Sequence, residues 1–272
     1  MGFKIGFTAE KEHETKKIIE NTSVQKAAPI AKKSVVDVFF PDRHLTCSYY
    51  NDLFDLKRGD IVYVDGKLEG LRGRVVDINY NFKIKLSDYK RVIGLADTNV
   101  IGEFHLAGSH FITTDESTLE YEKVATWFKA PENEEEEYVS SSSDETFNLA
   151  DLSGMNIKPH IAERGHEYYM ENRVVYIELK AGKGRALVTG TKIYDVEFEY
   201  NGETISALVC NCYCTGACKH EFATMLQLRD ILDTIQKEYP YIDHSDYLAA
   251  VSKSSFFEFV IDGNTKGSFV LK

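Results

Sequence analysis

No run of apolar residues in this chain approaches the ~20 that a membrane-spanning helix requires. The first residues, Met1-Gly2-Phe3-Lys4-Ile5-Gly6, lack the apolar stretch of a secretory signal, and position 6 is not the Ser or Thr of a myristoylation pattern. Gly182-Lys183-Gly184 falls in a turn and lacks the Gly-x-x-x-x-Gly-Lys-Ser/Thr spacing of a phosphate loop. The histidines at 13, 44, 105, 110, 160, 166 and 244 have no nucleophile or carboxylate at a spacing that suggests a catalytic set. Positive charge is lacking too, since the net charge is −11. These absences point away from a membrane protein, a nucleotide hydrolase and a triad enzyme, and no small-molecule substrate site is legible.

The acidity is local. Between Asp115 and Glu145 there are eleven acidic residues against two lysines, which leaves the rest of the chain at −2. Hydrophobic residues make up 43% and aromatics 12%, enough for ordinary globular cores in one or two domains.

Cysteine is also scarce, and its distribution organises the chain. Four of the five cysteines lie in Cys210-Asn211-Cys212-Tyr213-Cys214-Thr215-Gly216-Ala217-Cys218-Lys219-His220. Soft donors crowded in this way are what a tetrahedral metal centre uses. The flanks explain how the chain presents them. Thr204–Cys210 reads as a strand, and in extended chain residues i and i+2 share a face, so Cys210 and Cys212 can point the same way. From Lys219 the apolar residues Phe222, Met225, Leu226, Ile231, Leu232 and Ile235 recur at helical spacing. Cys218 and His220 then sit at a helix N-terminus, whose partial positive charge favours thiolate. Cys212, Cys214, Cys218 and His220 form a second, tighter register, so Cys214 is an alternative ligand to Cys210. Four protein ligands saturate the metal, so a structural Zn2+, one per chain, is expected rather than a catalytic one, and the chain is not expected to be an enzyme. With neither a membrane span nor a secretory stretch, the expected compartment is the cytoplasm, where thiols stay reduced and clustered cysteines mean metal rather than disulfide.

The spacing Cys-x-Cys-x5-Cys-x-His, ending Cys218-Lys219-His220, resembles the SWIM zinc finger. The likeness extends upstream through Ala162-Glu163-Arg164-Gly165-His166-Glu167-Tyr168-Tyr169, Arg173-Val174-Val175 and Thr189-Gly190-Thr191-Lys192-Ile193-Tyr194-Asp195-Val196. It covers about residues 155 to 236. SWIM domains occur beside Snf2-type helicases and in transposases and are thought to bind DNA or protein. The resemblance therefore implies a nucleic-acid-associated accessory protein, binding DNA or RNA, a helicase or another protein. The other reading is a protein-interaction or purely structural module without nucleic-acid contact.

The remaining chain reads as follows. Residues 1–33 form a charged N-terminal extension. Short strands at Val35–Phe40, Leu45–Tyr50, Gly59–Val64, Val75–Ile78 and Phe82–Leu86, separated by turns, predict a small antiparallel SH3-like β-barrel within a domain at 34–130. From Lys67 to Arg91 seven basic residues face three acidic ones. Alternation turns Phe82, Ile84 and Leu86 inward and Lys83 and Lys85 outward. Arg72, Arg74, Lys83, Lys85, Lys90 and Arg91 are thus candidate phosphate contacts. Residues 131–150, with four consecutive glutamates and four consecutive serines, read as a linker.

Beyond the linker, residues 151–240 read as the zinc module. It has a helix at Pro159–Glu171 with Asn172 as a left-handed cap, four strands between Val174 and Val209, and the metal-bearing helix. Residues 241–272 read as a short helix around Asp243–Ala250 and a hairpin of Phe256–Ile261 with Gly267–Leu271. The whole is an α+β protein: a small barrel followed by a β-meander and helix joined at a zinc knuckle.

Overall fold

The structure is a computed structural model that describes residues 3–7, 31–131, 145–261 and 267–272. Most of the N-terminal extension and most of the acidic linker lie outside the described residues. The chain divides into two compact units, a smaller one at Gly6–Ala96 and a larger one combining Met1–Ile5 with Asp97–Lys272. The chain as a whole is mixed α+β and dominated by sheet, and among the described residues its α-helices lie in the larger unit.

Strand β1 is Phe3–Phe7. The smaller unit contains β2 Ser34–Phe40, β3 Leu45–Asn51, β4 Ile61–Val64, β5 Gly73–Asn79 and β6 Val92–Leu95 in the order β3-β2-β5-β4-β6. Ser-Val-Val-Asp-Val-Phe-Phe alternates as the period of two demands, with Val36, Val38 and Phe40 fully buried against Val62, Val75 and Val92. The sheet is open rather than a closed barrel, and its two edges meet at one bridge, Tyr50 with Arg91. Phe82–Leu86, expected as a further strand, is irregular. The Asn79 side chain accepts a hydrogen bond from Asn81 N–H at 2.9 Å, and this turn takes the chain out of the ladder. Phe82 and Ile84 still turn inward and Lys83 and Lys85 outward, but Leu86 is exposed in a 3-10 turn at Leu86–Asp88.

The larger unit carries β7 Ile101–Ala107, β8 His110–Thr113, α1 Tyr121–Phe128, β9 Phe147–Asn148, α2 Pro159–Met170, β10 Val174–Lys180, β11 Lys183–Thr189, β12 Ile193–Tyr200, β13 Thr204–Cys210, α3 Lys219–Glu238, β14 Tyr247–Ser252, α4 Lys253–Phe256 and β15 Gly267–Leu271. Its ten-stranded sheet runs β1-β15-β7-β8-β14-β10-β11-β12-β13-β9. The meander β10–β13 and helices α2 and α3 lie where the sequence pattern puts them, and Asn172 adopts the left-handed conformation with φ 54°.

β7, β8 and α1, expected in the first domain at 34–130, belong instead to the larger unit, because β8 pairs with β14, Ala249 opposite Thr113 through Ser252 opposite His110. Tyr247–Ser252, expected as part of a short helix, is instead a central strand between β8 and β10, buried at every residue. A short apolar run without alternation fits either a buried strand or a buried helix, and here the two flanking strands decide.

The C-terminal hairpin is absent as well. Phe256–Ile261 is helical, since the Ser252 hydroxyl caps it by accepting from Ser255 N–H and Phe256, Phe259 and Val260 are buried at i, i+3 and i+4. β15 pairs in parallel with β7.

Helix α3 lies across one sheet face, and Ala223, Met225, Leu228, Ile231 and Ile235 pack with Ile177, Leu179, Val188, Val196 and Ile205. The opposite face of β10 presents Tyr176 and Glu178 to the start of α1. There Tyr176 Oη donates to the Leu119 carbonyl at 2.5 Å, and Glu178 accepts from Tyr121 N–H at 3.2 Å.

Candidate metal centre

The site begins with an irregularity in a strand. Along β13 Ile205 is buried in the core, and strict alternation would aim Ala207 and Val209 inward next. Instead Leu208 and Cys210 pack on the core. The change of parity comes from a bulge. The register passes from Glu199 opposite Ser206 to Glu197 opposite Val209, with Ala207 in the left-handed region at φ 50°. One extra residue thus turns Cys210 toward α3.

After Cys210 the chain is clamped to β12 by Asn211. Its N–H donates to the Asp195 carbonyl at 3.1 Å, its Oδ1 accepts from Asp195 N–H at 3.1 Å and its amide donates to the Asp195 carboxylate at 3.0 Å. The same carboxylate pairs with Lys129 at 2.9 Å and accepts from the Tyr121 hydroxyl. Residues 212–217 then turn back, with Gly216 at φ 120° where a side chain would be strained.

Cys218 is the N-cap of α3. Its sulfur accepts from Glu221 N–H at 3.4 Å while the Glu221 carboxylate accepts from Cys218 N–H at 2.7 Å, a capping box with cysteine in place of serine or threonine. His220 therefore stands in the first helical turn. Gly165 allows α2 to approach at this level, since a Cβ there would lie 2.8 Å from the Phe222 ring and 3.0 Å from the Lys219 carbonyl.

These elements bring Cys210, Cys212, Cys218 and His220 together with all four donor atoms within 4.8 Å of one another. Cys210 Sγ and Cys218 Sγ lie 3.6 and 3.7 Å from His220 Nδ1. The arrangement can hold a metal ion. Cys214 lies outside this group and is exposed.

The His220 ring is fixed from two sides. Tyr194 stacks on it with centroids 3.9 Å apart, and Tyr168 meets it edge-on at 5.5 Å. Burial, with Lys219 and Arg164 nearby, lowers its pKa to about 4, so the imidazole is neutral and keeps a lone pair for a metal. Burial and the adjacent thiols push Cys212 up to about 12. The hydrogen bond from Cys210, and then burial, raise Cys218 well above the ordinary thiol range. Three crowded sulfurs oppose one another's ionisation, and a cation among them reverses that preference.

Around the centre, cations lie over tyrosine rings. Lys219 and Arg173 lie 4.3 and 4.7 Å from the Tyr168 centroid, and Lys192 lies 5.6 Å from both Tyr194 and the fully exposed Tyr213. None of Tyr168, Tyr194, Ala207 or Asp195 announces its role in sequence. Glu221, three residues after Cys218, does carry a capping-box signal.

The six basic candidates of the smaller unit do not act alike. Arg91 pairs with Asp52 at 2.7 Å beside the Tyr50 ring, and Arg74 donates to the Gly59 carbonyl at 3.3 Å. Arg72 is half-buried, and Lys83, Lys85 and Lys90 are exposed. Lys32 lies 4.3 Å over the half-exposed ring of Tyr80.

No family model, curated protein or solved structure matches the chain.

Proposed function

We propose that this is a zinc-stabilised binding protein of SWIM type in which Cys210, Cys212, Cys218 and His220 hold one structural Zn2+. The carrying observation is the pair of sulfur-to-nitrogen distances, 3.6 and 3.7 Å. Tetrahedral zinc with Zn–S of about 2.3 Å and Zn–N of about 2.0–2.1 Å sets sulfur and nitrogen about 3.6 Å apart. Three thiolates and a neutral imidazole also suit zinc chemically. Four protein donors leave no open coordination position for substrate, which supports a structural role and no enzymatic one. Reduced clustered thiols fit a cytoplasmic setting.

The partner in this reading is nucleic acid, met by Lys83, Lys85 and Lys90 beside Tyr80, where exposed cations and an aromatic ring lie in one short stretch. A protein partner is the second reading. It is favoured by the internal engagement of Arg74 and Arg91, which leaves fewer cations for phosphate.

Metal analysis of the purified protein tests the first claim, with one zinc per chain expected and its absence decisive against it. Salt-titrated binding of the full chain to single- and double-stranded DNA and RNA tests the second. Binding that falls steeply with salt and is lost on replacing Lys83 and Lys85 with alanine supports nucleic acid. No binding at low ionic strength favours the protein partner.

A further inference from the structure

The cluster holds more sulfur than a four-coordinate site uses. Cys214 is the one exposed cysteine among the five, and it lies outside the four-donor group. It nonetheless shares with Cys212, which is a member, the short turn that links β13 to α3. Two residues apart on a turn, the pair is poised for a bond that would remove one ligand from the site.

We infer that Cys214 is a peroxide-sensitive thiol which, once oxidised, closes a disulfide with Cys212 and withdraws it from the metal centre. This rests on the reading of Cys210, Cys212, Cys218 and His220 as the zinc ligands.

Access and mobility support it. Cys214 and Cys210 line a cleft of ≈ 380 Å³ together with Gly216, Ala217 and Glu221, room enough for a small oxidant. Asn211 is tied to Asp195, whereas residues 212–217 neither donate nor accept a backbone–backbone hydrogen bond among the described residues. The sulfurs can therefore close on one another without breaking a strand or a helix. Gly216 at φ 120° gives this turn a pivot between Cys214 and the helix cap.

The chemistry balances with hydrogen peroxide as oxidant. The Cys214 sulfur attacks one peroxide oxygen, the O–O bond breaks, and the departing hydroxide takes a proton and leaves as water, giving a sulfenic acid. The Cys212 thiolate then attacks the Cys214 sulfur. The S–S bond forms, the S–O bond breaks, and a second hydroxide leaves as water with a proton from solvent. Two electrons have passed from the two sulfurs to the peroxide. Only Cys210, Cys218 and His220 would then remain to hold a metal, and three donors with one negative charge fewer would hold it far more weakly.

Exposure sets the order of events. Cys214, exposed and outside the four-donor group, reacts first, and Cys212 supplies the resolving thiolate. Cys218 is 1% exposed and caps α3, so its sulfur is the least accessible of the cluster.

The test uses the full chain, purified under reducing conditions, freed of reductant and treated with a few equivalents of hydrogen peroxide. Released zinc is read by a colorimetric chelator, and the peptide spanning 210–218 is mapped by non-reducing mass spectrometry. Wild type should release its zinc and carry a 212–214 disulfide. Dithiothreitol and added zinc should restore the starting state. Cys214→Ser should bind zinc as wild type does and release it at least about tenfold more slowly under peroxide, whereas Cys47→Ser should behave as wild type. Equal release rates in wild type and Cys214→Ser, or a disulfide mapped to another pair, overturn the inference alone. Protein without zinc before peroxide is added overturns the ligand reading and this inference with it.

Discussion

The imidazole of His220 lies flat against the ring of Tyr194, with centroids 3.9 Å apart and planes 18° from parallel. This contact joins β12 to the first turn of α3 at the level of the metal donors. It holds the ring so that Nδ1 faces Cys210 and Cys218, while the Tyr168 edge closes the other side. Outer contacts of this kind orient a ligand before the metal arrives.

Tyr194→Leu should therefore weaken zinc binding by about 10- to 100-fold without removing a ligand. Tyr194→Phe should keep most of the affinity, since the ring and not the hydroxyl makes the stack. Competition against a chelator of known affinity measures both. Equal affinity in wild type and Tyr194→Leu would show that the ring is bystander packing.

The bulge at Ala207 gives a second prediction. A non-glycine residue in the left-handed region costs about 1–2 kcal/mol, and glycine relieves this at an entropic cost of about 0.5–1 kcal/mol. Ala207→Gly should raise stability by about 0.5–1 kcal/mol, and Ala207→Val, with a branched Cβ at φ 50°, should lower it. Urea unfolding of the zinc-loaded protein orders the three.

Gln227 is 1% exposed, and neither amide atom has a hydrogen-bond partner among the described residues. Its burial on α3 costs stability, and a residue of similar shape without polar atoms removes that cost. Gln227→Met should stabilise the larger unit by about 1–3 kcal/mol, read as a shift of the urea midpoint at unchanged slope. A loss of stability would indicate that the amide is satisfied by water.

His110 predicts the pH response. It is fully buried on β8; its Nε2–H donates to the Val174 carbonyl at 2.8 Å and its Nδ1 accepts from the Ser109 hydroxyl at 3.0 Å. Burial first, and Lys253 after it, lower its pKa to about 4 despite the carbonyl. Below the ordinary histidine range near 6.5 the unfolded chain takes up a proton that the folded chain refuses until about pH 4. Stability from this group is thus complete above about pH 6.5 and is lost as pH falls from there to about 4. Urea midpoints over this window should fall more steeply for wild type than for His110→Gln. Parallel curves would assign the pH dependence to other groups.

How much of this was legible in sequence varied with the range of the contacts involved. α2, the meander β10–β13 and α3 follow from local signals: the Asn201-Gly202 turn, the left-handed Asn172, and apolar residues at helical spacing from Phe222 to Ile235. The four donors of the cluster were legible for the same reason, because strand, turn and helix cap sit within eleven residues. Tyr247–Ser252 was not, since its identity as a strand depends on β8 and β10, more than a hundred and more than sixty residues earlier. The unit boundary at Ala96 was hidden likewise, because composition changes at Pro131 while the pairing partners of β7 and β8 are β15 and β14. Ala207 carries no mark of a bulge; alanine there is a strained choice that only the register reveals.

X-ray absorption at the zinc edge of the protein as purified tests the central claim most directly. The account predicts one zinc per chain with three sulfurs at about 2.3 Å and one nitrogen at about 2.0–2.1 Å. A four-sulfur shell would place Cys214 in the site instead of His220, and protein that carries no zinc would contradict the metal centre altogether.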